Sequence, residues 1–250
     1  MTVNEQMEKQ GIWLFRFRGI LPLIVLGFAF YQYMLTELYP ERYLLEETHY
    51  EIYFEIFCLA VSIFGLAVRI WTVGYTPANT SGRNVKGQVA DELNTTGLYS
   101  VVRNPLYLGN FMMWLGIAML TMNVWFVVAF ILFYWLYYER IIHAEEQYLI
   151  RKFGERYIAW VNKTPCFIPR FKGYVRPTLK FSWKKVIKKE KNGLLALLLI
   201  FSIMDIIGEL VVNEPPKYMS IAIITAVVLV AYFIIKYIKR NTSLLEERGR

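Results

Sequence analysis

The sequence predicts an all-α, polytopic membrane protein of about six transmembrane helices, and three observations lead there. Of its 250 residues, 56% are hydrophobic and 17% aromatic. Six apolar runs are long enough, or nearly so, to cross a hydrocarbon core of about 30 Å, which takes roughly 20 helical residues. With the N-terminus placed in the cytosol, all but Arg42 and Lys217 of the 28 lysines and arginines fall on the cytosolic side, a clear positive-inside pattern. Both termini are therefore expected to be cytosolic. The net charge of +8 then reflects topology and contact with anionic membrane lipids; no nucleic-acid recognition motif occurs.

The first run, 19–36, follows Arg16 and Arg18 as a signal peptide would. Tyr31, Gln32, Tyr33 and Glu37 stand where a small-x-small cleavage site would be needed, so a retained span is expected. The second run covers 52–74. The third, 105–122, opens at Asn104-Pro105, where proline suits the first helical turn because its missing N–H would have no partner there. Thr121-Met122-Asn123 is the turn into the fourth run, 124–143. If these two helices fold back about Asn123, residues equally far from it lie at similar depth, since each rises about 1.5 Å. Glu145 then stands level with Val101, and Ile141 with Pro105.

Beyond the fourth span, Pro165 and Pro169 enforce an extended segment. The basic stretch 179–191 carries Phe181, Trp183, Val186 and Ile187 among its lysines, which predicts an interfacial helix on the inner leaflet. Runs 192–212 and 218–238 close the chain as a hairpin. Six spans leave no room for a separate soluble domain, so 1–250 is expected to be one membrane domain. Its parts are the first two spans (19–74), a polar motif region with a helical hairpin (79–170), the basic segment (171–191) and the C-terminal hairpin (192–238). Cys58 lies in a span and Cys166 in an inside loop, so no disulfide is expected. His49 and His143 fall on opposite sides of the membrane, and no metal site is expected.

The segment 95–110, TTGLYSVVRNPLYLGN, is polar, turn-rich and aromatic, and the depth argument sets it opposite the glutamate pair in ERIIHAEEQYLIRKFGERY. Gly97-Leu98-Tyr99, Arg103-Asn104-Pro105-Leu106-Tyr107-Leu108-Gly109, Glu145-Glu146, Phe153-Gly154-Glu155-Arg156-Tyr157 and Phe167-Ile168-Pro169 together resemble the isoprenylcysteine carboxyl methyltransferases. That family belongs to a larger group of membrane methyltransferases which includes phospholipid N-methyltransferases. The resemblance covers 79–170, about a third of the chain.

The resemblance implies S-adenosyl-L-methionine as methyl donor, bound at the cytosolic face. Cofactor contacts would fall on Asp91, Glu92, Leu93, Asn94, Tyr99, Asn104, Pro105, Leu106, Tyr107 and Glu145, with Arg103, Arg140 and Glu145 as catalytic candidates. Three departures stand out, one of them the C-terminal hairpin, 192–238, which many relatives lack. Asn104 replaces the family's histidine and cannot titrate near neutral pH. The family's substrate-facing arginine aligns with Ile141, leaving the neighbouring Arg140 as its substitute.

The residues suit this donor on their own chemistry. A helix start offers N–H groups and a positive dipole end to a carboxylate. Glu145 can pair with an ammonium or a ribose hydroxyl, and Tyr99 or Tyr107 can face a sulfonium. Arg103 and Arg140 can hold an anion, and a carboxylate or phosphate acceptor is already ionised at pH 7 and needs no general base. The expected function is thus O-methylation of a lipidic acceptor that enters from the bilayer, at the cytosolic face of an inner membrane. Methylation of a phospholipid or headgroup nitrogen, or an NADPH-dependent sterol-reductase-like activity, are the alternatives. Taken singly, Arg103 also suits a snorkelling anchor, and the tyrosines an aromatic belt. Asp205 and Glu209, four apart in the fifth span, are expected to be paired or functional, since buried carboxylates are costly.

Overall fold

A computed structural model describes residues 1–43, 45, 48–78, 80, 90–212, 219–247 and 249. Arg83, Lys86, Lys217, Arg248 and Arg250 of the charge pattern lie outside these residues, as does Asn79 at the start of the motif region. The described residues contain eight α-helices: α1 (Val3–Phe17), α2 (Leu21–Leu38), α3 (Glu51–Tyr75), α4 (Pro105–Leu120), α5 (Val124–Phe153), α6 (Glu155–Val161), α7 (Trp183–Val212) and α8 (Met219–Asn241). Four of them, α3, α5, α7 and α8, are long and apolar enough to cross a membrane, and α1 with α2, bent by 67° at their junction, makes at most a fifth span.

The expected third span is α4, with only 16 residues, about 24 Å long at 1.5 Å per residue. None of its residues is exposed, so protein rather than lipid covers it. The opposite holds for α8, whose Ile223, Val227, Val230, Phe233 and Ile234 are all exposed. Hydrocarbon solvates such a surface and water does not. The chain is an integral membrane protein.

Small residues set a close helix contact between α3 and α4. A Cβ on Gly65 would lie 2.5 Å from the Gly109 carbonyl oxygen, and one on Gly116 would lie 2.3 Å from that of Cys58. The backbones thus meet without intervening side chains, and the Ser62 hydroxyl donates across the contact to the Met113 carbonyl at 2.8 Å. The turn from α4 to α5 falls at Thr121-Met122-Asn123. Met122 takes a left-handed φ of 50°. Asn123 caps α5 by accepting from the Phe126 N–H at 3.0 Å and donates to Gln32 on α2 at 2.9 Å. Thr36, also on α2, donates to the Thr121 carbonyl at 2.7 Å, so the turn is pinned from outside the hairpin.

One element was not anticipated and one expectation needs correcting. A helix precedes the first apolar run: α1 starts with a capping box between Thr2 and Glu5 and lays Gly11 and Phe15 against the rest of the protein. The basic stretch 179–191 is not a separate interfacial helix. From Trp183 onward it is the first part of the unbroken α7, and its Lys185 and Glu190 are buried. Lys185 donates to the carbonyls of Thr76 and Pro77 at 2.5 and 2.9 Å, so its ammonium satisfies the chain just beyond α3. This lysine is a helix-to-helix tie rather than a membrane-surface charge.

Candidate active site

The site forms where the loop before α4 is clasped by the loop before α7. Gly97, at φ +62°, turns the chain into a short 3-10 stretch, Gly97–Ser100. The Gly97 N–H donates to the Val175 carbonyl at 2.8 Å, the Arg103 N–H to Pro165 and the Arg170 N–H to Val101, both at 2.9 Å. Trp160 of α6 donates from its indole to the Tyr99 carbonyl at 3.1 Å. The prolines of 164–169 keep that segment extended, and it therefore runs along the motif loop as a brace. Asn104 takes part: its amide donates to the Cys166 carbonyl at 3.1 Å.

Level with this loop, α5 presents its two glutamates. The Tyr107 hydroxyl donates to Glu145 at 2.9 Å, and the Arg103 guanidinium donates to Glu146 at 2.5 Å. Arg103 keeps its Nε buried without a partner among the described residues. The Tyr107 and Tyr138 rings stand 4.7 Å apart, and Tyr134 holds the Tyr107 carbonyl at 2.8 Å. Burial, with the charge of Glu145 beside it, pushes the Tyr99 phenol up from its ordinary value, so it stays a neutral donor. Burial also raises the Cys166 thiol, which makes it a poor nucleophile.

Of these groups, Tyr99, Arg103, Asn104, Tyr107, Tyr138, Glu145 and Trp160 border a cavity of about 690 Å³, within the size range of small-molecule sites. Of the residues expected from sequence, Glu92, Leu93, Asn94, Tyr99, Arg103, Asn104, Leu106, Tyr107 and Glu145 line it. Three do not. Asp91 is exposed on the loop, and Pro105 is fully buried as the first residue of α4. Arg140 pairs with Glu139 at 2.7 Å away from the cavity wall. Its neighbour Ile141 is wholly buried, and successive helical residues point about 100° apart, so Arg140 does not take over the position of Ile141.

The sequence reading missed other wall residues. Arg18 comes from the junction of α1 and α2, Arg69 from α3, Asn110 and Trp114 from α4, and Gly193, Ala196, Leu197 and Ile200 from α7. Arg69 donates twice to Glu190, at 2.8 Å each, and once to Asn110 at 2.6 Å. A cation inside a span is by default a functional candidate, and Asn110 is one helical turn from Tyr107; both signals were there to read. Asp205 and Glu209 lie farther along α7, outside the cavity wall.

The cavity therefore has two chemically distinct parts. At one end, carboxylates, an arginine, amides and phenols surround a space that suits a zwitterionic polar ligand. At the other, α4 and α7 supply apolar walls. Four arginines, Arg16, Arg18, Arg69 and Arg103, and two glutamates, Glu92 and Glu145, border the whole.

Known proteins share this core. Residues 54–156, from α3 into α6, match the family described as phospholipid methyltransferase. The chain is 31% identical over 116 residues to the nickel-cobalt-cadmium resistance protein NccN of Alcaligenes xylosoxydans xylosoxydans, which covers 45% of this chain and 50% of that one. It is 40% identical over 74 residues to the protein-S-isoprenylcysteine O-methyltransferase of Saccharomyces cerevisiae, 30% of this chain and 31% of that one. For the enzyme of the same name from Schizosaccharomyces pombe the figures are 39% over 77 residues, 31% and 33%. The chain thus spans half or less of the length of each of these relatives. Through the segment that holds α4, α5 and most of the cavity's polar end, it is similar to phospholipid methyltransferase-type and isoprenylcysteine methyltransferase-like membrane proteins.

Proposed function

We propose that this protein is an S-adenosylmethionine-dependent methyltransferase that methylates an anionic oxygen, carboxylate or phosphate, on a lipidic acceptor. The observation that carries the reading is a single cavity joining a polar end built on Glu145, Tyr107 and Arg103 to an apolar arm between helices. Bound S-adenosylmethionine would supply a methyl group on a sulfonium, transferred in line to the acceptor oxygen as the carbon–sulfur bond breaks and a neutral thioether departs.

The fit rests on groups present in the site. Glu145 and Glu92 suit the donor's ammonium and ribose hydroxyls. The unpartnered Nε of Arg103 and the start of α4, which Asn104 leaves without a side-chain cap, suit its carboxylate. Tyr99 and Trp160 offer aromatic faces for the adenine or the sulfonium. Catalysis would then consist of alignment and exclusion of water. Asn104 cannot act as a base, and its amide is already tied to Cys166; an ionised oxygen acceptor needs none.

Further parts of the reading are proposals of the same kind. The positive-inside pattern supports a cytosolic site and cytosolic termini in a cell (inner) membrane, with anionic lipids against the basic loops. The chain is taken as one membrane domain. The phospholipid methyltransferase match favours a second reading, methylation of a headgroup nitrogen, in which a carboxylate such as Glu145 or Glu92 would accept the amine's proton.

Calorimetric titration of the detergent-purified full chain tests the donor. Saturable binding of S-adenosylmethionine with no heat from NADPH is expected. Binding of NADPH alone would replace this reading with a reductase.

A further inference from the structure

The wall supplied by α7 lies outside the matched segment 54–156, yet it meets the cavity along one helical face. Gly193, Ala196, Leu197 and Ile200 follow the i, i+3, i+4, i+7 spacing of such a face. Facing them on α4 are Met113, Trp114 and Ile117. Between the two rows the smallest side chains are on α7. A Cβ on Gly193 would stand at ordinary contact distance, 3.5 Å from Glu190 and 3.8 Å from Leu66 and Met113, and Gly193 borders the cavity, so a side chain much larger than alanine there would have to extend into it.

At the polar end of this slot sits Arg69. Glu190, one turn before Gly193, holds its guanidinium edge-on in a pair whose side chains are 13% and 5% exposed, and Asn110 holds a third N–H. Among the described residues this uses three of the five N–H groups of an arginine. One remains on each terminal nitrogen, and Arg69 borders the cavity. Arg18 borders the same cavity from the α1–α2 junction. A slot that is apolar along its length and cationic at its inner end matches a single-chain lipid with an anionic head.

We infer that α7 completes an acceptor subsite in which Arg69, positioned by Glu190, receives the anionic head of a single-chain lipid and the α4–α7 slot, open at Gly193 and Ala196, receives its hydrocarbon chain. Glu190 acts through Arg69 and is a positioning residue. The inference rests on the methyltransferase reading only for what happens to the head; binding itself needs no methyl donor.

The test is photolabelling of the full chain in detergent with a palmitic acid analogue carrying a mid-chain diazirine, and mapping of the adducts by mass spectrometry. Adducts concentrated on 113–117 and 193–200 are expected, displaced by excess palmitate and at least fivefold less by hexadecanol, which lacks the charge. Gly193→Leu and Ala196→Leu should each cut this labelling severalfold, whereas Ile203→Phe, at an exposed position of the same helix, should leave it unchanged. Glu190→Gln should narrow the preference for palmitate over hexadecanol without moving the adducts. Adducts spread over exposed faces such as that of α8, or equal displacement by acid and alcohol, would overturn the inference even if every variant failed to fold, since both are read on the unmodified protein. Concentrated adducts in a protein that binds no S-adenosylmethionine would keep the subsite and remove the methyltransferase.

Discussion

Replacing Glu145 by alanine is expected to weaken S-adenosylmethionine binding between about tenfold and a hundredfold. The carboxylate is oriented by the Tyr107 hydroxyl at 2.9 Å and flanks the cavity from α5. A hydrogen bond to a charged group is worth about 1.5–3 kcal/mol, and about 1.4 kcal/mol corresponds to a factor of ten in affinity. The truncation also leaves the Tyr107 hydroxyl without its acceptor, which adds to the loss. Tyr107→Phe keeps the carboxylate and removes only its orienting donor, so a smaller weakening is expected there. Calorimetry on both variants checks the order, and unchanged affinity in Glu145→Ala would remove this residue from the donor site.

The second large effect is on stability. Gly116→Ala is expected to lower the thermal midpoint in detergent by several degrees or to prevent recovery of folded protein. The added Cβ would stand 2.1 Å from the Ser62 hydroxyl and 2.3 Å from the Cys58 carbonyl oxygen, and a backbone oxygen inside a helix cannot swing aside. Overpacking of this kind costs about 1–3 kcal/mol, or roughly 2–4 °C per kcal/mol in a chain of this size. Gly27→Ala is the control. Nothing lies within 4 Å of a Cβ there, and alanine is the better helix former, so its midpoint should hold or rise. An unchanged midpoint for Gly116→Ala would mean that α3 and α4 are not in close backbone contact. The same contact seats Arg69 against Gly109, where a Cβ would fall 2.6 Å from the arginine's Cγ, so α3–α4 packing and the cavity wall are one construction.

Much of this geometry was legible in the sequence because local rules governed it. Proline at the first position of α4 and the turn at Asn123 fixed the hairpin's phase. Equal rise per residue then brought Arg103 and Tyr107 level with the glutamate pair, and they form hydrogen bonds with it. What escaped depends on partners far apart in the chain. Arg69 and Glu190 are 121 residues apart; the first reads as one more positive-inside charge, and the second is lost among lysines. Lys185 looks like a surface cation until the carbonyls of Thr76 and Pro77 are seen to receive it. The helix α1 carries no long apolar run, and its packing on α5 at Gly11, where a Cβ would meet the Arg140 carbonyl, leaves no trace in hydropathy. Arg140 was expected in the site through its adjacency to Ile141, and adjacency in a helix is a change of face.

On the proposed function, this cavity brings a methyl donor to a lipid. The most direct test reconstitutes the purified full chain in vesicles of host lipid extract and supplies S-adenosylmethionine labelled with tritium on its methyl group. Label is then counted in the lipid and protein fractions. Label is expected in an acidic lipid species that gains a methylene-sized mass and loses a negative charge, with Glu145→Ala lowering the transfer severalfold or more at subsaturating donor. Label confined to protein, or donor binding without transfer to any lipid, would contradict the proposed function.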